Sequence, residues 1–122
     1  MNETRHHSRV DSATADAVQR FMARVQDSQT LPGSMIATLL FGSRARGEQR
    51  PDSDADVALL LDGEHVSRVD VALHLADIAF DVMLETGILI EAIPLWEDEW
   101  AHPERFSDPA LIEQIRREGV YL

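Results

Sequence analysis

Two short groups of residues that could perform chemistry lie near the middle of the chain. Gly42 and Ser43 end one apolar run, and Asp54 and Asp56 begin the next one after a ten-residue spacer. A glycine beside a hydroxyl at a turn lets a phosphate approach free backbone N–H groups. Two carboxylates on alternate strand residues face the same way, and such a pair needs a proton or a cation beside it. Because magnesium binds carboxylate and phosphate oxygens together, these residues predict a metal-dependent phosphate site.

The elements that must position these residues are two strands and the loop between them. The apolar runs 35–41 and 56–61 are bounded by Gly, Pro and Asp, which is typical of buried strands. Arg44 and Arg46 in the loop have two interpretations: they bind phosphate, or they form salt bridges with acids of this chain. Ser53 can form local hydrogen bonds that order the carboxylates after it.

The order of these residues resembles the signature of a known enzyme superfamily. Gly-Ser, a spacer and Asp-x-Asp are found in the nucleotidyltransferases that include DNA polymerase beta and the kanamycin nucleotidyltransferases. The fuller form GSRARG…SDAD is similar to the minimal nucleotidyltransferases found as MntA-like antitoxins paired with HEPN toxins. The resemblance covers roughly residues 35 to 95. It implies an α/β (α+β) fold, in which a small mixed β-sheet is flanked by helices as in the polymerase beta palm.

The resemblance also implies roles for residues of this chain. The residues it places at the nucleotide are Gly42, Ser43, Arg44 and Ser53. Asp54 and Asp56 would be catalytic and would bind Mg²⁺, with ATP as the substrate.

The third carboxylate of such a site comes from the strand beside the Asp-x-Asp strand. Glu91 lies within the otherwise apolar run 88–95, and a strand does not bury a carboxylate without a partner. We therefore expect Glu91 to complete the metal site or to act as the base for the acceptor hydroxyl. The family usually has Asp at this position. The alternative is a solvent-facing residue of an edge strand, which Pro94 favours.

The acceptor is expected to come from another molecule. Drug-modifying relatives have an additional helical domain that builds the second half of the pocket, whereas this chain ends 27 residues after Leu95. The resemblance implies a HEPN-domain ribonuclease toxin as partner in a hetero-oligomer, and AMP transfer to one of its tyrosine hydroxyls. Two alternatives stay open: a non-catalytic module that masks the partner sterically, and one subunit of a split transferase for a small molecule.

Length and composition set further limits. A chain of 122 residues predicts one domain, over residues 11–122, after a flexible start over residues 1–10 that includes a solvated pair, His6 and His7. The net charge of -11 argues against direct binding of nucleic acid and fits a basic protein surface. The chain has no cysteine, no apolar run of membrane-spanning length and no signal-peptide pattern, which predicts a cytoplasmic protein without a membrane partner.

Three longer helices are predicted around the strands. One runs from a cap at Asp11 or Ser12 to about Ser28, and another begins at Pro109 and ends at Gly119. The longest covers about residues 66–85. Its apolar face consists of Val69, Leu73, Ala76, Phe80 and Met83 or Leu84, with His74 beside it as a packing or surface residue.

Two features near the C-terminus have open interpretations. Trp96 and Trp100 are four residues apart, so on a helical turn they share a face. They form either a satellite cluster against the core or an exposed anchor for a partner. The tail 120–122 either packs against the domain or projects from it.

Overall fold

The computed structural model describes residues 10–29, 31 and 33–122. The elements in this part of the chain are α1 (Ser12–Ser28), β1 (Met35–Phe41), α2 (Ser43–Arg46), β2 (Ala55–Leu61), α3 (Arg68–Thr86), β3 (Ile90–Trp96), α4 (Glu97–Ala101), a 3₁₀-helix (Pro103–Arg105), α5 (Pro109–Glu118) and β4 (Val120–Tyr121). The predicted flexible start over residues 1–10, with His6 and His7, lies outside the described residues except for Val10.

The four strands form one mixed sheet in the order β3-β2-β1-β4. β1 is antiparallel to both β2 and β4, whereas β2 and β3 are parallel. Parallel neighbours require a crossover, and α3 supplies it. This mixed sheet flanked by helices confirms the predicted fold class.

The two faces of the sheet pack against different helices. The alternate residues Ala55, Val57, Leu59 and Leu61 of β2 face a core that they share with α1 and α3. Ala58 and Leu60 face a second core that includes Ile112 and Ile115 of α5. The same alternation places Asp56 on the α5 side of the sheet.

Caps define the ends of α1, α3 and α5, and the cap at Asp11 and the start at Pro109 are those that the sequence predicts. The Asp11 carboxylate accepts a hydrogen bond from the Thr14 N–H at 2.8 Å. Gly87 ends α3 with φ at 80°, a left-handed conformation that glycine adopts at little cost. Pro109 begins α5, and Asp108 caps it.

The apolar face of α3 that the sequence shows is not its packed face. The side chains of α3 that are buried in the core belong to Val71, Leu75, Ile78, Ala79 and Val82. Val69, Leu73, Phe80 and Leu84 are exposed instead. The helix is therefore apolar on two sides, and helical periodicity alone does not say which side meets the sheet.

The C-terminal residues pack against the sheet. Val120 and Tyr121 form β4 beside β1, and the Leu122 N–H donates a hydrogen bond to the Thr38 carbonyl at 3.1 Å. The expectation that the two tryptophans share a helical face is wrong. Trp96 ends β3 and is buried on the α1 and α3 side, whereas Trp100 packs in part against the second core.

Within the described residues, every helix is too short or too polar to cross a lipid bilayer.

Candidate active site

Gly42 and Asp56 are in contact, which joins the two halves of the predicted site. Gly42 follows the end of β1, where Phe41 is paired with Asp56 of β2. A β-carbon added to Gly42 would lie 2.3 Å from the Oδ2 atom of Asp56. Gly42 also has φ at 77° and ψ at -161°, a region that is almost restricted to glycine. The glycine is therefore required both by the backbone turn and by the carboxylate beside it.

The turn at Gly42 starts the short helix α2. The Gly42 carbonyl accepts hydrogen bonds from the Ala45 and Arg46 N–H groups at 3.1 and 3.2 Å. Ser43 is the first residue of this helix, so the predicted phosphate-binding residues lie where the helix begins. Gly47 ends the helix in a left-handed conformation, with φ at 73°.

Three carboxylates lie together at the start of β2 and β3. Asp56 is paired with Glu91 in the parallel register of these strands, and Asp54 is two residues before Asp56. Burial and the nearby Asp54 raise the pKa of Asp56, while Arg46 opposes this effect. A hydrogen bond with Asp54, then burial and the charges of both aspartates, raise the pKa of Glu91. Carboxylates this close together repel one another when all of them are ionised. A bound cation or an added proton relieves this repulsion.

The donor set suits magnesium held by two carboxylates. Among the described residues, no group of three or more His, Asp or Glu side chains is arranged to hold a metal ion. The interaction that raises the pKa of Glu91 nevertheless places its carboxylate beside that of Asp54. However, magnesium is commonly bound by one or two carboxylates together with substrate phosphates and water. Asp54 and Asp56 fit this mode, whereas the metal-binding role of Glu91 remains a prediction.

Arg44 holds the loop between the two halves. Its side chain is only 4% exposed. It donates hydrogen bonds to the Ser53 carbonyl at 2.8 Å, the Thr14 hydroxyl at 2.9 Å and the Pro51 carbonyl at 3.4 Å. The Ser53 hydroxyl accepts a hydrogen bond from the Arg50 N–H at 2.9 Å. These contacts give Arg44 and Ser53 a structural role in the loop, and their contact with a nucleotide remains a prediction.

Glu118 is a site residue that the sequence analysis missed. At the end of α5, its Oε1 atom accepts a hydrogen bond from the Gly42 N–H at 2.9 Å. Arg46 donates to both carboxylate oxygens of Glu118, at 3.1 and 3.2 Å, and Gln114 donates to one of them at 3.0 Å. Burial alone would raise the pKa of Glu118, but these hydrogen bonds outweigh it and lower the pKa. No local pattern indicates this role, because Glu118 lies 76 residues from Gly42.

The position of Glu118 shows that the Gly42 turn binds an anionic group. A carboxylate is held by one backbone N–H at the start of a helix and by one guanidinium, which are the groups that bind phosphate in proteins. Arg46 therefore lies at the turn, where it could bind phosphate. It also forms a salt bridge with Glu118, so both interpretations of Arg46 are compatible with its position.

A cleft of about 430 Å³ borders the carboxylates. Its lining includes Asp56 and Glu91 from the sheet and Leu111 and Gln114 from α5. The volume lies within the usual range for small-molecule sites. The cleft therefore brings the carboxylates of Asp56 and Glu91 together with an apolar wall, and Asp56 also contacts the Gly42 turn.

Comparison with known proteins agrees with this geometry. The sequence model of the family described as Polymerase beta, Nucleotidyltransferase matches residues 29–95, more than half of the chain. No curated protein matches the chain. Among solved structures, the crystal structure of a putative nucleotidyltransferase from Sulfolobus solfataricus is 20% identical, with a TM-score of 0.43 over 80% of this chain and 84% of that chain. A likeness at this level adds nothing to the argument about function.

The family match covers the strands and the residues that build the site. It includes β1, β2 and nearly all of β3, and with them the Gly42 turn, both aspartates and Glu91. The chain therefore belongs to the polymerase beta nucleotidyltransferase family.

Proposed function

We propose that this domain transfers AMP from ATP to a tyrosine hydroxyl of a HEPN-domain ribonuclease toxin, and so acts as its antitoxin. The observation that carries the proposal is the contact of Gly42 with Asp56, which makes the turn and the acidic pair one site. Family membership supports nucleotide transfer. The choice of ATP, of a protein hydroxyl and of a HEPN partner is supported by the resemblance of GSRARG…SDAD to the minimal nucleotidyltransferases.

Each residue of the site has a defined task in this reaction. The Gly42 and Ser43 turn holds the triphosphate. The acceptor oxygen attacks the α-phosphorus, the bond from that phosphorus to the β-phosphate oxygen breaks, and pyrophosphate leaves with the electron pair. Glu91 takes the proton of the acceptor hydroxyl, because it is an exposed carboxylate that lies opposite Asp56 in the pairing of β2 and β3. Bound Mg²⁺, held by Asp54 and Asp56, would neutralise phosphate charge.

The position of Glu91 suits a large acceptor. It lies on β3 at the edge of the sheet, and its side chain is exposed. A hydroxyl on the surface of another protein can therefore reach this carboxylate without entering a closed pocket. A basic ribonuclease surface would also be attracted by the net charge of -11.

A transfer assay tests the proposal. The protein is incubated with a purified HEPN protein, ATP labelled at the α-phosphate and Mg²⁺, and label on the HEPN protein is located by mass spectrometry. We expect label on a tyrosine with the wild-type protein. The double variant Asp54→Ala with Asp56→Ala should show none, because it lacks both predicted metal ligands. A matched control removes two exposed acids elsewhere, Glu64→Ala with Glu113→Ala, and should transfer normally.

Two results would contradict the proposal in different ways. Normal transfer by the double variant of Asp54 and Asp56 would overturn the site assignment. Toxicity that is blocked without any label on the partner would favour steric masking by a non-catalytic module. The glutamate at position 91, where the family usually has an aspartate, is the observation that favours this second candidate.

A further inference from the structure

A stripe of large apolar side chains is exposed along α3. We name Val69, Leu73, Phe80 and Leu84 the α3 stripe; their exposed fractions are 67%, 62%, 53% and 69%. Together with Ala76, which lies between Leu73 and Phe80, they are spaced by four, three, four and four residues, which places all of them on one side of the helix. Soluble proteins rarely expose a continuous apolar patch of this kind without a partner for it.

The stripe has the dimensions of a helix-docking surface. From Val69 to Leu84 the helix rises by about 22 Å, or roughly four turns. The opposite side of α3 is fixed on the sheet by Val71, Leu75 and Val82, so the stripe is presented on a rigid support. Spacings of three and four residues along one side of a helix suit the packing of a second helix against it.

The charges beside the stripe indicate the chemistry of the partner. Asp70, Asp77 and Asp81 of α3 are exposed. None of these three aspartates has an ion-pair partner among the described residues. A second copy of this chain would place such acids near one another, and each copy has a net charge of -11. A helix with Arg or Lys beside its apolar side would instead pair with them.

Ala76, which lies between the residues of the stripe, lines a groove that leads toward the candidate active site. A groove of about 360 Å³ lies between α3 and β3, and Ala72, Ala76 and Ala79 form its helical wall. Glu91 lines this groove and also the cleft that contains Asp56. A helix seated on the stripe would thus cover a surface that leads to the carboxylates.

We propose that the α3 stripe is the docking site for an amphipathic helix of a partner protein, with aliphatic residues on one side and Arg or Lys beside them. The docking surface follows from exposure, spacing and charge on α3. The further statement that the docked protein is also the acceptor rests on the proposed function, since the groove leads to Glu91.

Binding of two designed peptides to the full chain tests this docking site. The first peptide is a helix of roughly four to five turns with Leu at heptad positions a and d and Arg at e and g. The second has Glu in place of every Arg. By fluorescence anisotropy at low salt, we expect the basic peptide to bind at least about tenfold more tightly than the acidic one.

Two pairs of variants separate the stripe from the rest of the surface. Leu73→Gln with Phe80→Gln should weaken binding of the basic peptide by at least about tenfold. Ile36→Gln with Tyr121→Gln removes two exposed apolar side chains outside α3 and should leave binding unchanged.

The acidic residues are tested in the same way. Asp77→Asn with Asp81→Asn should reduce the preference for the basic peptide over the acidic one. Glu64→Gln with Glu113→Gln removes the same charge away from α3 and should keep this preference. Circular dichroism confirms that each variant is folded.

Three results would overturn the proposal. Equal binding of the two peptides would remove the charge argument, and unchanged binding by the variant of Leu73 and Phe80 would remove the stripe as the site. Sedimentation of the protein alone could reveal a dimer that this variant dissociates, which would assign the stripe to a second copy. None of these measurements needs ATP or a transfer reaction, so failure of the proposed function would leave the docking result standing.

Discussion

Replacement of Gly42 by alanine tests the contact that joins the two halves of the site. The substitution has two separate effects. The backbone at Gly42, with φ at 77° and ψ at -161°, is close to forbidden for other residues, which costs about 1–3 kcal/mol. The new β-carbon would also lie 2.3 Å from Oδ2 of Asp56, where ordinary contacts begin at 3.4 Å. The carboxylate must therefore move by about 1 Å, and overpacking of this kind costs a further 1–3 kcal/mol or so.

A double-mutant cycle separates these two effects. Free energies of unfolding are measured in denaturant for Gly42→Ala, for Asp56→Ala and for both together. Asp56→Ala removes the Oδ2 atom, so we expect the double variant to be more stable than the sum predicts by about 1–3 kcal/mol. Gly87→Ala is the matched control, because Gly87 has φ at 80° but nothing lies within 4 Å of the added β-carbon. It should cost only about 1–2 kcal/mol.

The same variant reports on catalysis. A displacement of about 1 Å of a catalytic group lowers the rate by about a hundredfold, so we expect this loss of transfer by Gly42→Ala under conditions where it is folded. Additivity of Gly42→Ala and Asp56→Ala within roughly 0.5 kcal/mol would refute the contact between them. Normal transfer by Gly42→Ala would refute its importance for the site.

Three further predictions concern single residues. Asp56→Asn should raise the free energy of unfolding by less than about 1 kcal/mol in EDTA at neutral pH, because it removes a half-buried charge and its repulsion with Asp54, both of which solvent weakens at this open site. Folding raises the pKa of Asp56, so its charge destabilises the fold only when the pH is above the ordinary carboxyl pKa of 3.8. The greater stability of the Asn variant should therefore vanish as the pH falls to 3.8. A stability difference that persists at that pH would contradict the charge argument. Glu118→Gln should bind ATP with Mg²⁺ about fivefold more tightly by calorimetry, because an anion no longer competes for Arg46 and the Gly42 N–H; weaker binding would show that the carboxylate supports the turn. Arg44→Leu should lower the free energy of unfolding by about 2–4 kcal/mol, because it leaves buried hydrogen-bond acceptors unpaired. If the folded Arg44→Leu variant keeps its affinity for ATP, the role of Arg44 is in the loop alone.

The amino-acid sequence by itself determined the local parts of this protein. Strand-like apolar runs, helix caps and the Gly42, Asp54 and Asp56 pattern depend on neighbours a few residues apart, and the structure has β1, β2 and the caps of α1 and α5 where these patterns indicate them. The resemblance to nucleotidyltransferases implies that Glu91 lies on the strand beside Asp54 and Asp56, and the structure pairs Asp56 with Glu91 in parallel strands.

Only the tertiary structure decided features that depend on distant contacts. Glu118 reaches Gly42 because β4 pairs with β1 and places the end of α5 there, and two residues of strand give too weak a pattern to predict this pairing. Arg44 has a binding and a structural interpretation in sequence, and its hydrogen bond to Thr14 of α1 gives it a structural role.

The helix α3 shows the physical reason most clearly. Its sequence is apolar on two sides, so the hydrophobic effect favours burial of either one. The shape of the sheet buries Val71, Leu75 and Val82, and the Leu73 and Phe80 side is left to solvent. The pattern of residues determined that α3 is a helix with apolar faces, and the tertiary structure decided which of them remains exposed.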